Sequence, residues 1–223
     1  LVDPYYATNL YGARQAGLSV GSYHFYRPQI DIYEQLANMT TIVQKHEQDL
    51  VPLIDIETTG GVSHEKFVSD LQVFVDPVTA FYGRRPLLYT YQNFYNKHLV
   101  GTFPGYQWMI AKYHREEPYL DDETDYMMWQ YTQTGRIPGI RVNVERSHIM
   151  GIHALSALRM PTTRTSTGNS VKKYFLCTVN NIGSSRFVSG SRCFVSTQCG
   201  CSRAIKSRLS TIYLANTALI YTH

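Results

Sequence analysis

Leu50-Val51-Pro52-Leu53-Ile54-Asp55-Ile56-Glu57 is a short apolar run that ends in two carboxylates spaced two residues apart. Side chains alternate across a strand with period two, so on a β-strand Asp55 and Glu57 share a face. A carboxylate in an apolar setting is costly, so a pair at the end of a buried strand needs a reason. Two readings stand at this point. Paired carboxylates whose proton affinities are pushed apart are the working parts of glycoside hydrolysis. In the other reading, one acid caps the following turn and its neighbour pairs with an arginine.

Outward from this run, strands alternate with helices. A helical stretch from about Tyr6 to Gly17 precedes a strand at Leu18–Phe25, and Asp31–Asp49 has helical character before the strand 50–57. Gly60-Gly61 breaks the chain, a helix is expected from Ser63 to about Phe81, and Arg85–Tyr91 is the third strand. Strand-to-strand spacing is then about 32 to 36 residues, the length of a βα unit. Further on, Gln107–Tyr113, Tyr126–Thr132 and Ile140–Glu145 read as strands only about 15 to 20 residues apart, which leaves little room for crossover helices. Such a sheet suits a modified barrel, where chemistry gathers at the C-terminal strand ends. Those ends are polar or aromatic throughout: His24 and Tyr26; Asp55 and Glu57; Tyr89 and Tyr91; Lys112 and Tyr113; Trp129, Gln130 and Tyr131; Glu145.

Composition divides the chain. Hydrophobic content is 43% and aromatic content 13%, with 18 tyrosines, a supply of amphipathic rings that suits sugar handling as well as core packing. No apolar run reaches the length of a membrane span. The net charge of +4 hides an asymmetry: residues 1–160 hold all 17 acidic side chains, whereas residues 161–223 carry 8 Lys+Arg and no Asp or Glu. All four cysteines, Cys177, Cys193, Cys199 and Cys201, also lie in the second part. The organisation expected is a unit over 1–158 and a basic, Ser/Thr-rich tail over 159–223 that is poorly ordered. Two origins fit the tail: a basic appendage that adheres to polyanions, or sequence that was never selected, such as translation beyond a frameshift. The opening Leu1-Val2-Asp3, with neither Met nor a signal-like segment, reads as part of something longer.

Several motifs in order carry a family resemblance. They are Asp3-Pro4-Tyr5-Tyr6, Ala16-Gly17-Leu18 with Tyr23-His24-Phe25, Pro52 to Glu57, and Pro86-Leu87-Leu88-Tyr89-Thr90. Trp108-x-Ile110-Ala111-Lys112-Tyr113, Trp129-Gln130-Tyr131-Thr132 and Ile137-Pro138-Gly139-Ile140 follow. Over residues 1 to about 155 the chain resembles glycoside hydrolase family 25, lysozymes of the bacterial and phage muramidase type. The resemblance implies an α/β fold, a flattened, TIM-like (β/α)5β3 barrel. It also implies hydrolysis of the β-1,4 bond between N-acetylmuramic acid and N-acetylglucosamine, without a cofactor or metal.

On the matching positions, Glu57 is the general acid, Asp55 its carboxylate partner and Glu145 a third carboxylate. The substrate-binding residues would be His24, Tyr26, Tyr89, Tyr91, Tyr113, Trp129 and Gln130. The partner expected is the peptidoglycan glycan strand, met outside the cytoplasm or in the periplasm by a monomer that binds no nucleic acid. Two departures from the family pattern stand out. Its opening strand, with a D-x-S-x-x-Q motif, and its second strand, ending K-A-T/S-E-G, have no counterpart, a gap of two adjacent strands and roughly 30 to 40 residues. The barrel is therefore expected to be incomplete at the N-terminus, with two open sheet edges, and the rival reading is an inactive remnant that binds wall glycan. At the last strand Val144-Glu145 stands where the family usually has Val-Asp.

Overall fold

The computed structural model describes residues 2–136 and 143–161, with the backbone of three strands further on. Helix α1 (Tyr6–Gln15) leads into β1 (Leu18–Phe25), α2 (Ile32–Ile42) and β2 (Leu53–Asp55). Next come α3 (His64–Tyr82), β3 (Leu87–Tyr91), α4 (Gln92–His98), β4 (Gln107–Ala111), β5 (Met128–Gly135) and β6 (Val144–Ile149). The three later strands are β7 (Lys173–Val179), β8 (Cys193–Ser196) and β9 (Thr211–Ala215). Strands β1 to β5 pair in parallel, and β6 runs antiparallel to β5. Together β1 to β6 form a mixed α/β sheet curled into a half-barrel.

The helices form where the sequence punctuates them. Asp31 caps α2 by accepting from the Glu34 amide at 2.9 Å, and Ser63 caps α3 through the Lys66 amide. Gly83, at φ 73°, ends α3 in the left-handed conformation that a Cβ disfavours. Pro77 lies within α3 but on its exposed side, as does Val73, whose carbonyl it leaves without an intrahelical donor. Water can take that place, so the helix continues.

All eight residues of β1 are buried, the pattern of a parallel strand covered on both faces. The outer layer is apolar: Leu10 of α1, Met39 of α2, and Phe67, Leu71, Phe74 and Val78 of α3 are nearly or wholly buried. A buried polar triangle fastens α1 to β1. Tyr6 and Ser22 hydroxyls lie 3.0 Å apart, and Ser22 Oγ donates to Gln48 Oε1 at 2.9 Å.

Four expectations need correction. The helical stretch to Asp49 stops at Ile42, and a 3-10 turn, Lys45–Glu47, follows. A short helix, α4, does fit between β3 and β4, because seven residues need only about 10 Å of axial length. The last strand begins at Val144, so Glu145 stands near its start instead of its end. The two open edges are not observed either: β7 pairs in parallel with β1, β9 pairs antiparallel with β6, and β8 joins them, so the ladder closes. Apart from residues 159–161 and these strands, the basic tail lies outside the described residues, and so does the Ile137-Pro138-Gly139-Ile140 motif.

Candidate active site

Register fixes which side chains face the barrel interior. Phe25 pairs with Asp55, Asp55 with Tyr89, and Tyr89 with Met109. One step toward the mouth, Tyr91 pairs with Ala111, Ala111 with Gln130, and Gln130 with Ser147. Lateral neighbours in a ladder share a face, so these residues point inward together. Glu145 lies two residues from Ser147 on the same face. Because β6 is antiparallel, the start of this strand opens at the same mouth as the C-terminal ends of β1 to β5. The inverted direction brings Glu145 to the site.

A hydrogen-bonded chain joins these elements. Tyr89 and Tyr113 hydroxyls both donate to Gln130 Oε1, each at 2.8 Å. Gln130 Nε2 donates to Glu145 Oε2 at 2.9 Å. A carboxylate only accepts, which orients the Gln130 amide: nitrogen toward Glu145 and oxygen toward the two phenols. Gln130 is 2% exposed, Asp55 4% and Glu145 8%, so the group sits in a region of low dielectric. Glu57, Tyr91 and Tyr113 are half-buried at its rim. Rings of Tyr89 and Tyr91, and of Tyr91 and Tyr113, lie 6.1 Å apart in edge-to-face arrangements.

Burial, followed by the negative charges and phenols around it, holds the Tyr89 hydroxyl well above the ordinary tyrosine range. Tyr91 moves the same way, through burial first and then the charge of Glu57. Asp55 and Glu57 act on both rings, which links the two acids of the apolar run to this cluster. Both phenols therefore keep their protons at neutral pH and serve as donors.

The structure thus brings together Asp55, Glu57, Tyr89, Tyr91, Tyr113, Gln130 and Glu145. It places three other candidates elsewhere. His24 is fully buried on the helix side of β1, where its ring stacks on Phe74 at 5.1 Å and Nε2 meets Gln35 Oε1 at 3.2 Å. Burial lowers its pKa to about 4, although the bond to Gln35 opposes this. Tyr26 also turns toward Phe74, at 5.2 Å. Trp129 pairs with Ile110 and His148 on the outward face, and its indole N–H donates to the Lys112 carbonyl at 2.9 Å. Standing at a strand end does not decide the face, and period-two alternation turns these three away from the carboxylates. That same alternation identifies a residue the sequence reading passed over. Phe25, beside Asp55, bears the Arg27 guanidinium 5.0 Å above its ring. Among the described residues no group of three or more His, Cys, Asp or Glu could hold a metal ion.

Carboxylates and phenols thus converge at the mouth of a curled α/β sheet. The profile of "Glycosyl hydrolases family 25" matches residues 1–140, and the chain belongs to that family. It is 28% identical over 145 residues to "Uncharacterized protein YegX" of Escherichia coli (strain K12), covering 65% of this chain and 53% of that protein. The "Autolytic lysozyme" of Clostridium acetobutylicum is 31% identical over 129 residues, covering 58% of this chain and 39% of the relative. This chain therefore spans about half, or less, of the length of these two relatives. A family 25 glycosyl hydrolase from Bacillus anthracis superposes with a TM-score of 0.59 at 27% identity, over 65% of this chain and 68% of that structure.

Proposed function

We propose that this chain is a peptidoglycan hydrolase that cleaves the β-1,4 bond between N-acetylmuramic acid and N-acetylglucosamine. The observation that carries the reading is the inward convergence of Asp55 with Glu145 by way of Tyr89 and Gln130, close enough to Glu57 for its charge to act on Tyr89 and Tyr91. Half-buried Glu57, at the rim, acts as the general acid that protonates the leaving glycosidic oxygen. Asp55 is buried two residues earlier in the chain, and its negative charge favours the protonated form of Glu57 before the reaction. As the bond breaks, positive charge grows on the sugar ring, and Asp55 and Glu145 supply the compensating field. Tyr91 and Tyr113 offer ring faces to the sugars at the rim.

The architecture proposed is the family's flattened (β/α)5β3 barrel, incomplete at the N-terminus, of which residues 1–158 carry the six strands β1 to β6. The tail, with 8 Lys+Arg and no acid beyond residue 160, favours adhesion to polyanionic walls. The substrate places the site of action outside the cytoplasm or in the periplasm. Among the described residues no helix is long and apolar enough to cross a membrane.

Clearing of purified bacterial walls, measured by turbidity for the parent chain and for Glu57→Gln, tests this reading. Clearing by the parent, with a loss on the order of 10² to 10⁴-fold in the variant, supports it. Equal clearing by both overturns the assignment of Glu57. No clearing by either, with retained pelleting on walls, favours a glycan-binding remnant.

A further inference from the structure

Gln130 was expected to touch substrate, yet its bonding capacity is directed at protein. Both lone pairs of its carbonyl oxygen are used by Tyr89 and Tyr113, and an amide hydrogen is used by Glu145. The residue is 2% exposed and stands on β5 between β4 and β6, in register with Ala111 on one side and Ser147 on the other. Such a side chain is poorly placed to read a sugar and well placed to fix its neighbours.

We propose that Gln130 is a positioning residue that holds Glu145 in its ionised, inward orientation and links it to the tyrosine hydroxyls of β3 and the β4 end. This inference rests on the hydrolase reading and assigns one of its residues a different task. The physical need lies in Glu145 itself. A glutamate has one more rotatable bond than an aspartate, and side-chain ordering costs free energy. A buried N–H donor aimed at one carboxylate oxygen selects one arrangement and favours the charged form. The phenols fix the donor in turn, since their two O–H bonds leave the amide a single sensible orientation. Loss of Gln130 would remove the bond that fixes Glu145 Oε2, and displacement by about 1 Å can cost on the order of 10²-fold in rate.

The test uses the full chain with Gln130→Met, close in length but unable to donate, and Gln130→Glu, which replaces the donor with a like charge. Each is made alone and together with Glu145→Gln. Expected for Gln130→Met is a roughly tenfold or larger fall in kcat with KM little changed, from the lost bond to a charged group. Its acidic pH limb moves upward, because the ionised form of Glu145 has lost its donor. Gln130→Glu should lose more. In the Glu145→Gln background, Gln130→Met should cost little further, since a residue acting through another is not additive with it. Equal losses in both backgrounds would overturn the proposal.

A readout without catalysis separates this inference from the hydrolase reading. Carbon-13 titration of the Glu145 carboxyl should show its midpoint rising in Gln130→Met relative to the parent. An unchanged midpoint would also overturn the proposal. If Gln130→Met does not fold, Gln130→Asn, one methylene shorter, takes its place with the same expected directions. A parent chain that clears no walls, but whose Glu145 titration shifts as stated, defeats the hydrolase reading and leaves the positioning role standing.

Discussion

Asp55 of β2 and Tyr89 of β3 are direct register partners in a parallel ladder, so the first carboxylate of the apolar run stands beside the first phenol of the hydrogen-bonded chain. The two are 4% and 6% exposed. The Tyr89 hydroxyl reaches Gln130 instead of bulk water, at 2.8 Å, and burial keeps its proton on, with the charge of Asp55 as the smallest of several contributions. Tyr89→Phe removes one of the two donors to Gln130 and leaves the ring packing intact. The expected result is a several-fold fall in kcat and a stability loss of about 1 kcal/mol, from one buried hydrogen bond. Wall-clearing kinetics and urea denaturation check the two parts.

The face of each aromatic decides its effect on substrate. Tyr91 and Tyr113 sit half-buried on the inward side, while Trp129 packs outward with His148, at 6.0 Å, and bonds to the Lys112 carbonyl. Tyr91→Ala and Tyr113→Ala should each raise KM several-fold for wall glycan. Trp129→Phe should leave KM within about twofold and cost about 1 kcal/mol of stability through the lost indole bond. A larger KM effect from Trp129→Phe than from Tyr91→Ala would show that the indole reaches the groove.

His24 makes folding sensitive to acid. Its pKa is about 4 in the folded chain, against an ordinary value of 6.5, because burial against Phe74 disfavours the charged ring. Between those values the unfolded chain binds a proton that the folded chain does not. Stability is therefore full above about pH 6.5 and falls as the pH drops toward 4, by a total of about 3 kcal/mol. His24→Phe cannot make this transition and should have a flatter profile, at the cost of the bond to Gln35. Guanidinium denaturation of both chains at pH 7 and pH 4.5 checks this; parallel losses would remove His24 as the cause.

Local pattern located β1 to β5, because helix caps and short apolar runs carry their own signals, although the strand expected over 50–57 is only Leu53–Asp55 and leaves Glu57 beyond its end. It failed where geometry is set by distant partners. His24, Tyr26 and Trp129 sit at strand ends, but their faces follow from the register of neighbouring strands, information no single segment holds. Glu145 reads locally as the end of a strand, whereas pairing with β5 makes it the beginning of an antiparallel one. The strands in the basic tail lack strong local periodicity and are defined through ladders with β1 and β6. Gln130 was recognised as a site residue from its motif, but its bonding to Tyr89, Tyr113 and Glu145 exists only after three strands have come together.

Asp3 supplies a transition of the opposite sign. Its side chain is buried just ahead of α1, and its Oδ1 accepts the Tyr5 amide at 2.8 Å. Burial raises its pKa from 3.8 to about 6, and the Tyr5 amide only partly offsets that rise. Here the folded chain holds a proton that the unfolded chain has released. The stability contributed by the protonated acid is complete below about pH 3.8 and is lost as the pH rises through 6. An asparagine keeps the Oδ1 acceptor for Tyr5 and cannot ionise. Asp3→Asn should therefore match the parent near pH 3.5 and exceed it in stability at pH 8, the gain opening between pH 4 and 6. Because this window overlaps that of His24 with reversed slope, the parent profile alone will look flatter than either group demands. The double variant Asp3→Asn, His24→Phe should show neither transition, and thermal midpoints for the four chains across pH 3.5 to 8 would separate the two contributions.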